Sequence, residues 1–336
     1  MVSSCHLDQV DKGLRLHPTK EVNCRMMQRE VDLVVLSKSD PSSDWHTRYI
    51  LGTARDQGLS VELHDPRDLA IVAGPSGNPA LVHLSGYELL PRAIFNRALG
   101  DLTEELLVAA EVRGVPTINR FVPSYLATNK IMSLMLFMFQ GLRVPQTLFI
   151  RPGDRVSGSR GLTIFTRHIL DLPVITKPLK GSLGISVERQ DDLDDLRRYI
   201  DHRIGADLPL HVQEYLDHGG SDIRVTTIGD RCVGAVRRIA RPGCIATNLG
   251  RGGKPVPLDI TPELEEVALT AARAVDLDFA GIDLIEDDEG YIVLEANACP
   301  NFDNTVLVGE FPVGEDLIDF IKERIELQDA DRAAGS

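Results

Sequence analysis

The stretch GIDLIEDDEGYIVLEANACP, Gly281 to Pro300, holds the densest chemistry in the chain. Its turn, Asp287-Asp288-Glu289-Gly290, predicts a hairpin of two strands, Gly281 to Ile285 and Tyr291 to Asn297. That fold-back sets Asp283 nearly opposite Glu295. Residues two apart on a strand share a face, so Glu295 and Asn297 point the same way. Two carboxylates and an amide oxygen are hard ligands. They suit Mg2+, which keeps several waters and is completed by substrate phosphates. Acids flanking a glycine are also ordinary turn material. Glu295 and Asn297, however, sit inside an apolar strand and not in its turn, which favours ligation.

A second constellation suits phosphate. The strand Val174 to Lys177 runs into Pro178, Leu179, Lys180, Gly181, Ser182, Leu183 and Gly184. Small residues let backbone amides approach phosphate oxygens, and Lys177 adds positive charge. The loop joins two strands, so it matches neither the P-loop nor the dinucleotide fingerprint. Further on, the strand VQEYL, Val212 to Leu216, offers backbone groups that could read an adenine edge. Glu214 there could accept from amino or ribose groups. Asp222-Ile223-Arg224, then Arg237, Arg238 and Arg241, then Asn248-Leu249-Gly250-Arg251-Gly252-Gly253 follow. Basic residues on strands are usually solvated. In a chain of net charge −14, an Arg concentration in one sheet points to an anionic ligand.

The elements that must position these residues follow from periodicity. Residues 1 to about 30 are polar and aperiodic and read as an extension. The run VDLVVLS from Val31 predicts a buried parallel strand, and βαβ rhythm continues to Asn119. Helical spacing covers Asn129 to Gln140, ended by Gly141 and Pro145. Strands are expected at Thr147 to Ile150, Val174 to Lys177, Ile185 to Glu188, His211 to Leu216, Asp222 to Ile228 and Cys232 to Arg238. Helices are expected at Asp191 to Ile200, Thr261 to Val275 and Gly314 to Gln328, with the last eight residues frayed.

Composition narrows the partners. Length 336 predicts two or three domains. With 36 Lys and Arg against 50 Asp and Glu, no basic face for nucleic acid is expected. No apolar run reaches the roughly 20 residues a bilayer needs. The first 30 residues lack an apolar signal-peptide core. The cysteines Cys5, Cys24, Cys232, Cys244 and Cys299 form no CxxC pair, so a reducing cytoplasm is the expected setting. Cys299, beside the metal strand, reads as a buried small hydrophobe.

Taken in order, VQEYL, SDIR, the double Arg before NLGRGG, DFAGIDLI and LEANACP resemble the ATP-grasp ligases, and within them the RimK-like branch. The resemblance covers about residues 31 to 325. It implies an α/β (α+β) ATP-grasp fold: a pre-ATP-grasp α/β domain over 31–120, a central lobe over 121–210 and a C-terminal lobe over 211–328. By the same resemblance, Lys130 and Lys177 contact the nucleotide phosphates, and Gly181, Ser182 and Gly184 form a lid. Glu214, Tyr215 and Leu216 hold adenine and ribose, with Asp222 near the nucleotide. Asp283, Glu295 and Asn297 bind two Mg2+ or Mn2+ ions. Arg224, Arg238 and Asn248 face the reacting carboxyl group.

The implied reaction joins an amino acid or other amine to a small-molecule or peptide carboxylate through an acylphosphate, and a homo-oligomer is expected. Three positions depart from the resembled pattern on its substrate side: Ala246 stands where a cation is usual, Cys299 where serine is usual, and Asn301 where glycine is usual. Rival readings are an ATP-grasp dipeptide or ring-closing synthetase and a non-catalytic ATP-binding module. The intact Asp283, Glu295 and Asn297 argue against the last.

Overall fold

The computed structural model describes residues 26–40, 42–74, 77–98, 100, 102–151, 158–179, 187–241 and 253–334. Three sheets follow one another along the chain. The first third holds β1 (Met27–Leu36), α1 (Trp45–Asp56), β2 (Val61–His64), β3 (Leu69–Gly74), β4 (Gly77–His83), β5 (Tyr87–Asn96), α2 (Thr103–Val112), β6 (Thr117–Ile118), α3 (Phe121–Thr128) and α4 (Lys130–Phe139). Its sheet runs β2-β1-β5-β4-β3, with β6 on the end of β5. The β1–β2, β1–β5 and β5–β6 pairs are parallel. Along β1, Leu33 and Val35 enter one core, and Val34 and Leu36 another. Both faces are thus covered, as the unbroken apolar run of β1 requires.

The second sheet, ordered β7-β10-β8-β9, comprises β7 (Thr147–Ile150), β8 (Val174–Thr176), β9 (Glu188–Gln190) and β10 (Leu210–Glu214). Helices α5 (Gly158–Ile169) and α6 (Leu193–Gly205) accompany it, and Leu162, Leu196 and Ile200 pack with Val174, Leu210 and Val212. The third sheet runs β13-β12-β11-β14-β15. Its strands are β11 (Ser221–Ile228), β12 (Arg231–Ile239), β13 (Lys254–Pro257), β14 (Phe279–Asp287) and β15 (Gly290–Asn297). Helix α7 (Pro262–Ala274) covers one face, and α8 (Asp303–Leu307) and α9 (Val313–Ala334) complete the chain.

Several expectations are corrected. Strand β1 starts at Met27, so the end of the expected 1–30 extension belongs to a sheet. Tyr215 and Leu216 lie beyond β10, which ends at Glu214. The boundary read at 210/211 falls inside β10. Helix α9 continues to Ala334 through residues expected to fray. Up to Ile325 the helix is held by packing, since Leu317, Ile318, Ile321 and Ile325 are buried in a core shared with Leu33, Ile50 and Phe95 of the first third and Phe279 and Phe302 of the last; beyond it the helix is mostly exposed, and Asp329 pairs with Arg92. The hairpin β3–β4 was not expected, nor were α3 and α5. No helix among the described residues is long and apolar enough to cross a membrane.

Candidate active site

The β14–β15 hairpin forms as the turn residues dictate, and its register pairs Asp283 with Glu295 and Gly281 with Asn297. An irregularity after Asp283 shifts the ladder there. The Asn297 amide Nδ2 lies 3.4 Å from Asp283 Oδ2 and 3.3 Å from Glu295 Oε1, and donates to the Gly281 carbonyl at 3.2 Å. The three side chains therefore converge as the sequence predicts.

Two lysines reach this cluster from other elements. Asn129 caps α4 by accepting from the backbone N–H groups of Ile131 and Met132, which fixes Lys130 in the first turn. Lys130 Nζ then lies 3.2 Å from Glu295 Oε2. Lys177 leaves the end of β8 and donates to Gln213 Oε1 at 3.0 Å. Burial pushes its ammonium down to about 8; Glu295 and Asp283 oppose the shift and Lys130 adds to it. Lys177 is thus within electrostatic reach of both acids.

Arg224, Arg238 and Asp222 form a buried ion-pair chain around Asp283. Strand register places Arg224 beside Asp283 and Asp222 beside Arg238. Arg224 grips Asp283 with two parallel contacts, Nε to Oδ1 and Nη2 to Oδ2, the second at 2.8 Å. Arg238 donates from Nε to Asp222 Oδ1 at 2.7 Å, and its Nη2 lies 3.0 Å from Asp283 Oδ1. Burial alone would raise the Asp283 carboxyl, but the two guanidiniums outweigh it and hold the group below the usual carboxylate range. Asp222 here anchors Arg238.

Glu214 braces a bend: its Oε1 accepts from the Gln146 N–H at 2.7 Å, and its own N–H donates to the Gln146 carbonyl at 2.9 Å. Arg189 stands 4.3 Å over the Tyr215 ring, and Leu216 is half-buried beyond them. Gly181, Ser182, Gly184, Ala246 and Asn248 lie outside the described residues.

Three participants escaped sequence reasoning. Gln213 holds Lys177. Asn119, buried just after β6, accepts from the Phe279 N–H at 2.8 Å and donates to the carbonyls of Phe279 and Ala298 at 2.6 and 2.7 Å. It clamps the start of β14 to the end of β15 beyond the last ladder pair. His211 is buried beside Lys177, with neither ring nitrogen partnered among the described residues. Burial, aided by Lys177 and Lys130, pushes its imidazole down to about 2, so it is neutral. Only Gln213, inside VQEYL, carried a sequence signal.

No group of three or more His, Cys, Asp or Glu that could hold a metal ion exists among the described residues. Two carboxylates and an amide instead fit a cation that arrives partly coordinated by phosphate. Each carboxylate oxygen has two acceptor positions, so Asp283 can hold Arg224 and a cation edge together. Asn297 would turn its amide over to present oxygen. Lysines facing an acid–amide cluster, with a buried arginine relay behind, have the charge and ligand chemistry that a triphosphate and a divalent cation would need.

Comparison with known proteins agrees. The model of the RimK-like ATP-grasp domain matches residues 127–321. A protein of Thioalkalivibrio sulfidiphilus named "Probable alpha-L-glutamate ligase" is 27% identical over 284 residues, 83% of this chain and 92% of its own. The "Alpha-aminoadipate--LysW ligase LysX" of Sulfurisphaera tokodaii is 35% identical over 215 residues, 62% of this chain and 73% of its own. Among solved structures, the ATP-grasp ligase PsnB with a minimal precursor has a TM-score of 0.69 at 22% identity, covering 88% of this chain and 99% of that one. These neighbours have the ATP-grasp fold. The chain belongs to the RimK-like ATP-grasp ligases.

Proposed function

We propose that this chain joins an amino acid to a small-molecule or peptide carboxylate by forming an amide bond with ATP. A carboxylate oxygen attacks the γ-phosphorus, ADP leaves, and the amine then attacks the acyl carbon of the acylphosphate and expels phosphate. The convergence of Asp283, Glu295 and Asn297 under Lys130 and Lys177 carries this reading. The relatives' names, which concern glutamate and alpha-aminoadipate, support an amino acid as one partner.

Lys130 and Lys177 neutralise charge spreading over the transferred phosphoryl oxygens, and they do so from fixed positions. Gln213 orients Lys177. Asp283, Glu295 and Asn297 would hold Mg2+ or Mn2+, two ions in the reading proposed here, and such ions would supply positive charge against that of the phosphates. Arg224 and Arg238 keep Asp283 ionised and stand ready for the reacting carboxylate. Glu214, Tyr215 and Leu216 line the bend proposed for adenine and ribose, with Asp222 supporting Arg238 behind it.

The test is a screen of amino acids and peptides for ADP release, with mass spectrometry of products. A new amide in a productive pair supports the reading. Absence of ADP release with every pair, or full turnover by Glu295→Ala, overturns it.

A further inference from the structure

The parallel strands of the first sheet end at a topological switch. From β1 the chain passes through α1 to β2 on one side, then crosses back to β5 on the other. In such sheets, ligands bind in the crevice beyond the carboxyl ends of the strands flanking the switch. Here that crevice lies between residue Ser37, after β1, and Arg97, after β5. The two ends are tied by the Arg97 N–H donating to the Leu36 carbonyl at 2.8 Å.

Arg97 occupies the crevice with a carboxylate, Asp44, near its charge but with few close hydrogen bonds among the described residues. Its side chain is 6% exposed. Its hydrogen bond to protein is a long one, Nη1 to the Pro300 carbonyl at 3.4 Å. Its Nε is buried with no hydrogen-bond partner among the described residues. The Asp44 carboxylate stands 3.9 Å from Nε, beyond hydrogen-bond reach, and already accepts from His46 and Thr47 as the cap of α1. The Phe302 ring lies 5.8 Å from the guanidinium. A buried cation normally has charge-assisted partners on its N–H groups. Among the described residues, Arg97 Nε has no such hydrogen bond on the side where the switch point predicts a ligand.

The crevice borders the candidate active site. Pro300 follows the ligand Asn297 by three residues. Its ring packs where a Cβ on Gly281 would sit, 2.7 Å from Pro300 Cβ and 2.9 Å from Arg224 Nη1. Pro300 thus adjoins both Arg97, through its carbonyl, and the neighbourhood of Arg224, through its ring. A substrate whose reacting carboxylate lies at Arg224 could extend past Pro300 toward Arg97.

Resting on the ligase reading above, we propose that Arg97 binds a second carboxylate of the substrate pair, one that is not phosphorylated. The anion pairs with Nε and the neighbouring N–H groups. This makes Arg97 a specificity-determining residue and makes one substrate a multiply charged acid or a free amino acid. The carboxylate could come from the amine-bearing amino acid or from the acceptor, and the experiment separates the two.

Titration calorimetry on the full-length chain with Mg2+ and AMPPNP uses four probes: L-glutamate, its α-amide, its γ-amide, and glutarate, which lacks the amine. The expected result is that wild type binds at least one acid and binds its amide at least tenfold more weakly. Arg97→Met should bind acid and amide alike, at the weak level, with unchanged nucleotide affinity. Arg97→Lys should fall between them.

Loss confined to the α-amide or γ-amide places the carboxylate on the amino acid; an Arg97-dependent glutarate affinity places it on the acceptor. Binding of no probe by wild type, equal binding of acid and amide by wild type, or a preserved difference in Arg97→Met overturns the proposal. Should Arg97→Met fail to fold, Arg97→Lys carries the same comparison. ADP release without any Arg97-dependent difference removes this inference and leaves the ligase reading intact.

Discussion

Lys177 holds a charge that its surroundings weaken, and the consequence has two opposite signs. Its value of about 8 lies below the ordinary lysine value of 10.5. The folded protein therefore binds fewer protons than the unfolded chain between those values. Lys177's cost to stability is full below pH 8 and disappears as pH rises toward 10.5. ATP affinity should run the other way, falling above pH 8 as the ammonium deprotonates. Titrations of ATP from pH 7 to 9.5 should show this fall, and Lys177→Arg should flatten it. A wild-type curve without the fall would contradict a phosphate role for Lys177.

The buried relay makes a second residue-scale prediction. Arg238→Met strands Asp222 and half of Asp283 without their cation, which should cost about 3–5 kcal/mol. Adding Asp222→Asn should restore much of that in denaturant melts; a double variant no more stable than the single would argue against the pairing. The metal-type cluster was legible because a hairpin fixes which side chains meet. The relay was not. Arg224 and Arg238 read only as residues facing the reacting carboxyl group, and strand register shows that they also grip Asp283 and Asp222.

At the scale of elements, glycine does one specific job in β14. A Cβ on Gly281 would strike Pro300 Cβ and the Arg224 guanidinium. Gly281→Ala should push Arg224 off Asp283 and lower kcat at least tenfold. The sheet itself, backed by Ile282 and Leu284 in the core, should survive. Circular dichroism unchanged beside reduced turnover is the expected pair of results; unchanged turnover would show that the close approach is dispensable.

The strands and helices with clear period were readable to within a few residues, as β11, β12, α4 and α7 show. Hairpin β3–β4 escaped because its second strand opens Gly77-Asn78-Pro79, which reads as turn material. Helix α5 escaped because two glycines, Gly158 and Gly161, sit in its first turn. Tertiary packing overrode local propensity in both.

Across the whole molecule, Asn119 joins the first sheet to the hairpin that carries the acids. Asn119→Ala would leave the Phe279 N–H and carbonyl and the Ala298 carbonyl short of partners. The expected loss is about 2–4 kcal/mol in unfolding free energy, together with a weaker Mg2+ requirement curve, since Asn297 adjoins Ala298. A variant with reduced stability but an unshifted Mg2+ dependence would limit Asn119 to scaffolding. No sequence pattern marks such a residue, because its partners lie about 160 positions away.

Helix α9 has a meaning for how the molecule is made. Its Leu317, Ile318, Ile321 and Ile325 fill a core whose other wall is β1, α1 and β5. Lys322 also reaches Gln57, and Tyr49 reaches Glu315. The first sheet is thus completed by a helix synthesised well after it. At ~5–20 residues per second on the ribosome, the first sheet waits on the order of 10–40 s with that apolar wall uncovered. The first third of the chain, expressed alone, should therefore aggregate where the full chain does not.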